Sequence, residues 1–218
     1  MNSMQTSTGE IQFKRRSEAL WQYRLAGSRT VVPVAAPVFE IDGVERAAVP
    51  KQWRSLQAPK ALRNGTVEHA FEGVLKGDPD LALEIIFRVA ADSPVVRFRY
   101  VLKARRAASR RLTKTSGKDR LSYLALSLAA WPECTQVRLS EFDESIHSFR
   151  LCEQALQDKE FDHGLAAMGP ILTAGDGCHA LLVAYEHGSQ IPDAFLQYRL
   201  HAGRRWNGWS RTTYGFPQ

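Results

Sequence analysis

The hydrophobic pattern along this chain repeats every two residues. Leu81, Leu83, Ile85, Phe87 and Val89 alternate with Ala82, Glu84, Ile86, Arg88 and Ala90. A period of two places alternate side chains on opposite faces of an extended strand. Asp92-Ser93-Pro94 follows, and there Pro fixes its own φ while Asp and Ser bond nearby backbone. Val96, Phe98, Tyr100 and Leu102 then alternate with Arg97, Arg99, Val101 and Lys103. Two alternating runs around a short turn predict an antiparallel hairpin. One of its faces is expected to meet a core, and the other water or a charged partner.

The same pattern recurs. Trp21, Tyr23 and Leu25 alternate with Gln22 and Arg24. Asp42-Gly43 separates Val38–Ile41 from Val44–Arg46, and Asn64-Gly65 separates Ala61–Arg63 from Thr66–Glu68. Both dipeptides suit two-residue hairpin turns, which need positive φ. Further strands are predicted over Leu121–Leu128, Val137–Phe142, Phe149–Leu156, Ile171–Thr173 and Ala180–Tyr185, the last two around Gly175-Asp176-Gly177. Only Gln154–Glu160 suggests a short helical turn. Many short strands without a fixed repeat predict an all-β fold with few or no helices, either a two-sheet sandwich or a barrel.

Composition adds the size class. The 218 residues are 44% hydrophobic and 24% charged, as in ordinary globular proteins, which excludes disordered, collagenous and disulfide-scaffold classes. The net charge is +6, and it is local. Residues 103–120 hold eight Lys and Arg and one acid, Asp119, so the other residues together carry one net negative charge. A basic cluster can contact nucleic-acid phosphates. This one has no aromatic residue on which a base could stack and no nucleic-acid-binding motif, so nucleic acid is not expected as a partner. An exposed connection, or a contact with a neighbouring domain, is expected instead.

The opening residues show no secretory signal, and no apolar run approaches the ~20 residues of a membrane helix. Cys134, Cys152 and Cys178 are widely spaced and form no Cys-x-x-Cys pair. A reduced, cytoplasmic protein off the membrane is the expectation. No cofactor is expected: Gly175-x-Gly177 lacks the third glycine and following helix of a dinucleotide site, and no P-loop occurs. No metal is expected, because none of the six histidines forms a His-x-His or His-x-x-x-His pair. The acids Glu141, Asp143 and Glu144 are read as surface charge.

The most distinctive string runs from Leu181 to Tyr198. An apolar strand ends in Glu186-His187-Gly188, and Ser189-Gln190-Ile191-Pro192-Asp193 leads to a second apolar segment. Gly188 suits a turn, and polar residues at a strand end are well placed for binding. Glu186, His187, Gln190 and Asp193 are therefore the candidates for substrate binding or domain contact.

This string, with Phe195-Leu196 after it, resembles the N-terminal β-domain of glycoside hydrolase family 36, the bacterial α-galactosidase-like proteins. The hairpin Leu83–Leu102, with its Asp92-Ser93-Pro94-Val95-Val96-Arg97 turn, resembles that domain too. The resemblance runs from about Trp21 to Leu200. It implies a two-sheet antiparallel supersandwich of the galactose-mutarotase-like kind. In the family such a domain precedes a (β/α)₈ barrel that carries both catalytic carboxylates. This chain is expected to end before such a barrel, so no catalytic residue is assigned within it. The implied partners are the barrel, an α-galactoside or related oligosaccharide reached through the parent enzyme, and further subunits in a homo-oligomer. The expected division is an N-terminal extension over 1–20, a β-sandwich over 21–200 and a divergent tail over 201–218. A free-standing carbohydrate-binding or aldose-mutarotase-like protein is the alternative. Mutarotation needs an acid and a base facing each other, whereas Glu186 and His187 are adjacent and would point to opposite faces of a strand.

Overall fold

The computed structural model describes residues 3–14, 19–105, 110–111, 121–127, 133–143, 145–155, 166–168, 171–184, 196–201 and 205–210. Among them every regular element is a strand, and the pairs within each of the two units described below are antiparallel. The chain divides into two compact units, Met1–Thr115 and Ser116–Gln218.

The first unit is a sandwich. One layer is the meander β1 (Met4–Gln5), β2 (Gly9–Phe13), β3 (Ala19–Leu25) and β4 (Val31–Ala35). The hairpin of β5 (Val38–Ile41) and β6 (Val44–Ala47) follows. The other layer contains β9 (Val67–Leu75), β10 (Asp78–Val89) and β11 (Arg97–Ala104), in the order β11-β10-β9. Two short strands, β7 (Arg54–Ser55) and β8 (Lys60–Ala61), pair with β9.

Interlocked aromatic rings join the two layers. Phe13 of β2 meets Phe71 of β9 edge-on at 4.9 Å and Phe87 of β10 at 5.8 Å. Trp21 of β3 meets Phe87 at 5.2 Å and Phe98 of β11 at 5.0 Å, both edge-on. Such geometry sets positive ring edges against negative faces. Trp21 also donates from Nε1 to Tyr100 Oη at 2.9 Å, which satisfies its buried N–H. Burial pushes the Tyr100 hydroxyl pKa well up, against the opposing effect of that hydrogen bond.

The predicted hairpin forms in continuous register from Leu81↔Ala104 to Arg88↔Arg97. Its core row is fully buried: Leu83, Ile85 and Phe87 are 0% exposed. The opposite row departs from expectation. Ala82, Glu84 and Ile86 are only 0%, 6% and 7% exposed, so β10 is covered on both faces. Its charge meets a charged partner, since Lys103 Nζ pairs with Glu84 Oε2.

Asp42-Gly43 makes the expected two-residue turn, whereas Asn64-Gly65 ends a three-residue loop over 63–65, in which only Gly65 has positive φ and the Leu62 N–H donates to the Thr66 carbonyl at 2.8 Å. Asp42 and Gly43 take φ of 51° and 79° between β5 and β6. Gly65 takes 79°, and Asn64 Oδ1 accepts from the Thr66 N–H at 3.2 Å and its hydroxyl at 2.7 Å. Gly73 has a different reason. A Cβ there would lie 2.4 Å from Pro50 Cβ and 2.6 Å from the Gln52 carbonyl oxygen, so β9 tolerates no side chain where this segment crosses it.

The second unit contains two antiparallel runs. One is β14 (Ser148–Ala155), β13 (Glu133–Asp143), β16 (Ile171–Gly175) and β17 (Ala180–Ala184), in that order. The other is β12 (Leu121–Ser127), β19 (Arg205–Ser210), β18 (Leu196–His201) and β15 (Ala166–Met168). Gln154 and Ala155 belong to β14, not to a helical turn, because they pair with Gln136 and Thr135. The rest of that predicted turn lies outside the described residues.

Within the expected extension over 1–20, the described strands β1 and β2 are built into the meander, with Met4 2% and Ile11 0% exposed. The expected sandwich over 21–200 spans parts of both compact units, which divide between Thr115 and Ser116. Residues 205–210 of the expected tail form β19, paired with both β12 and β18.

Candidate functional site

The sequence-predicted residues Glu186, His187, Gln190 and Asp193 lie outside the described residues, as does Glu144. Among the described residues, the structure brings chemistry-bearing side chains together in four places.

The first is the outer face of the β9-β10-β11 layer. Glu84 and Glu72 stand directly opposite each other across the β10–β9 pair. Like charges at that spacing repel unless each is neutralised. Both are: Arg54 Nη2 reaches Glu72 Oε1 at 2.6 Å, and Lys103 holds Glu84. Four residues along β10, on the same face, Arg88 Nε bonds Glu68 Oε2 at 2.8 Å, again between register partners. Facing carboxylates suggest acid–base chemistry, but here each is committed to a cation across the sheet. Charge neutralisation is what this arrangement does. Sequence reasoning missed it because strand register, not local spacing, brings Glu72 to Glu84.

The second place is where the basic segment begins. Arg110 lies 3.8 Å from Asp42, 3.5 Å from Asp78 and 3.7 Å from Asp80. Arg46 reaches the same Asp78 at 3.5 Å. Backbone reinforces the contact, since the Asp42 N–H donates to the Arg111 carbonyl at 2.8 Å and the Arg111 N–H donates to Asp42 Oδ1 at 2.9 Å. The Arg105 N–H also donates to the Asp80 carbonyl at 2.6 Å. Thus Lys103, Arg105, Arg110 and Arg111 are all held within the first unit. A segment read from sequence as an exposed connection starts as β11 and is then fastened to the β5–β6 turn and the start of β10.

The third place is the β16–β17 turn. Asp176 Oδ1 accepts from the Cys178 N–H at 2.9 Å and the His179 N–H at 2.6 Å, and Oδ2 meets His179 Nδ1 at 3.0 Å. The Cys178 backbone bond, followed by the two His179 bonds, holds the Asp176 carboxyl below its usual range. The Cys178 thiol is free and exposed. The carboxylate closes a tight turn in which Gly177 supplies a φ of 84°.

The fourth is an open cleft of about 460 Å³ at the outer end of the β2–β3 ribbon, lined by Gln5, Glu10, Arg24, Ser28 and Arg29 among others. Hydrogen bonds, first from Ser3 and then from Gln5 and Gln12, hold the Glu10 carboxyl below its usual range, with the Arg24 charge adding to them. No sequence signal marked this cleft, because strand register, not local spacing, brings Gln5 and Glu10 beside Arg24 and the turn that follows it.

No group of three or more His, Cys, Asp or Glu among the described residues is placed to hold a metal ion. No helix among them is long and apolar enough to cross a membrane. Comparison with family models, curated proteins and solved structures found no match.

Proposed function

We propose that this chain is a non-catalytic β-sandwich module of an α-galactosidase-like glycoside hydrolase. In this reading it packs on a catalytic (β/α)₈ barrel and shapes a wall of the sugar site. Glu186, His187, Gln190 and Asp193 are its contacts to substrate or barrel, in a cytoplasmic and homo-oligomeric enzyme. One observation carries the reading: the Tyr185–Gln190 string and the Leu83–Leu102 hairpin, which bear the resemblance, occur together in an antiparallel all-β chain. That hairpin forms as an antiparallel pair, with Leu83 opposite Leu102. The buried carboxylates Glu72, Glu84 and Asp78 support a structural role, because each is bound to a basic side chain.

Polarimetry tests this against a mutarotase. With freshly dissolved α-galactose, the purified chain is expected to leave anomerisation at the buffer rate. Acceleration that disappears on Glu186→Gln or His187→Asn substitution contradicts the proposal and favours an enzyme acting alone.

A further inference from the structure

The outward face of the β1–β3 ribbon carries an ordered row of polar side chains that the proposed function leaves unused. They share a face because the strand registers pair Gln5 with Glu10, Glu10 with Arg24, and Gln12 with Gln22. Gln22 is only 4% exposed, and its Nε2 donates to Gln12 Oε1 at 2.9 Å. Gln12 Nε2 donates to Glu10 Oε1 at 2.5 Å. On the other side, Gln5 Nε2 donates to Glu10 Oε2 at 3.0 Å and to Ser3 Oγ at 3.0 Å. Each Glu10 oxygen thus receives one side-chain amide, and the carboxylate is fixed in direction.

Glu10 lines the cleft of about 460 Å³ that Arg24, Ser28 and Arg29 complete. Gly9 also lines it, and a Cβ there would lie 2.1 Å from the Arg24 carbonyl oxygen, so no side chain rises at that point. We propose that this cleft binds a neutral polyhydroxylated ligand, of the pyranoside or polyol class. Each hydroxyl of such a ligand both donates and accepts. A fixed carboxylate accepts from one hydroxyl while a guanidinium donates to its neighbours. Glu10 and Arg24 provide these complementary groups directly across one strand pair, with Cβ atoms about 5 Å apart. An inorganic anion suits the cleft less well, because the ionised Glu10 opposes the attraction of Arg24 and Arg29. Among the described residues no aromatic side chain lines the cleft to stack on a sugar ring, so the affinity is expected in the millimolar range.

The assignment rests on residues 3–29 and holds whether or not the chain serves a galactosidase. Two-dimensional ¹H–¹⁵N NMR of the full chain tests it, with methyl α-galactoside and inorganic phosphate titrated separately at equal ionic strength. The glycoside is expected to give saturable shifts centred on the amides of Gln5, Glu10 and Arg24–Arg29. Glu10→Gln and Arg29→Ala are each expected to weaken this binding about tenfold. Arg29 is exposed in a turn, so its variant leaves the sheet intact and keeps the test informative if Glu10→Gln perturbs folding. Saturation by phosphate without response to glycoside overturns the proposal in favour of an anion site. Glycoside shifts confined to other residues, no shifts at all, or unchanged affinity in Arg29→Ala overturn it as well.

Discussion

Arg110 shows how little of its role a residue reveals in isolation. In the sequence it is one of eight cations in a basic run. In the fold it faces Asp42, Asp78 and Asp80, brought together from the β5–β6 turn and the start of β10. Removing it leaves Asp78, whose side chain is 8% exposed, with Arg46 as its one basic partner among the described residues. Arg110→Ala is expected to lower stability by about 1–2 kcal/mol; solvent around its 34% exposed side chain keeps this below the cost of breaking a fully buried pair. A lower urea midpoint at unchanged slope checks this, and an unchanged midpoint contradicts it. His69 is the corresponding case for pH. Desolvation by burial lowers its pKa from the ordinary 6.5, so the folded chain resists a proton that the unfolded chain accepts. Stability is therefore expected to fall as pH drops through 6.5 toward the folded pKa. His69→Gln is expected to flatten that part of the urea-midpoint profile. The charge of Arg110 was legible in the sequence, but its partners lie 30–68 positions away and were not.

At the scale of elements, the sequence was most informative where a single strand or turn decides the outcome. Asp42-Gly43, Asn64-Gly65 and Gly175-Asp176-Gly177 each mark an observed hairpin, because positive φ is a local demand. The alternation from Leu81 to Val89 gave the core face of β10 correctly, since that face must shed water whatever lies opposite. What lies opposite was not legible: burial of Ala82, Glu84 and Ile86 follows from what covers the second face. The two-residue strands β7 and β8 are too short to show a period. β1 and β2 were missed because their residues look polar until Met4, Ile11 and Phe13 are placed against the second layer. Phe87 concentrates the packing of these elements, with Phe13, Trp21 and Phe98 all around its ring. Phe87→Ala is expected to cost about 3–5 kcal/mol. Thermal unfolding checks this, and a loss below about 1 kcal/mol would mean that the two layers do not interlock through this ring.

For the whole molecule, the all-β antiparallel character was legible because period-two patterning occurs along most of the chain. The division near Thr115 was not, because the basic run at that point reads as one connection among many. The four candidate contacts Glu186, His187, Gln190 and Asp193 lie outside the described residues. The local charge has a clearer meaning: the start of the basic segment neutralises carboxylates of its own unit. The central functional claim is that this chain contributes a wall and a packing surface, and no chemistry of its own. Its most direct test is hydrolysis of an aryl α-galactoside by the purified chain. The account predicts release of the aryl group at the buffer rate, unaffected by Glu186→Gln or Asp193→Asn. Turnover above that rate, abolished by either substitution, would contradict it.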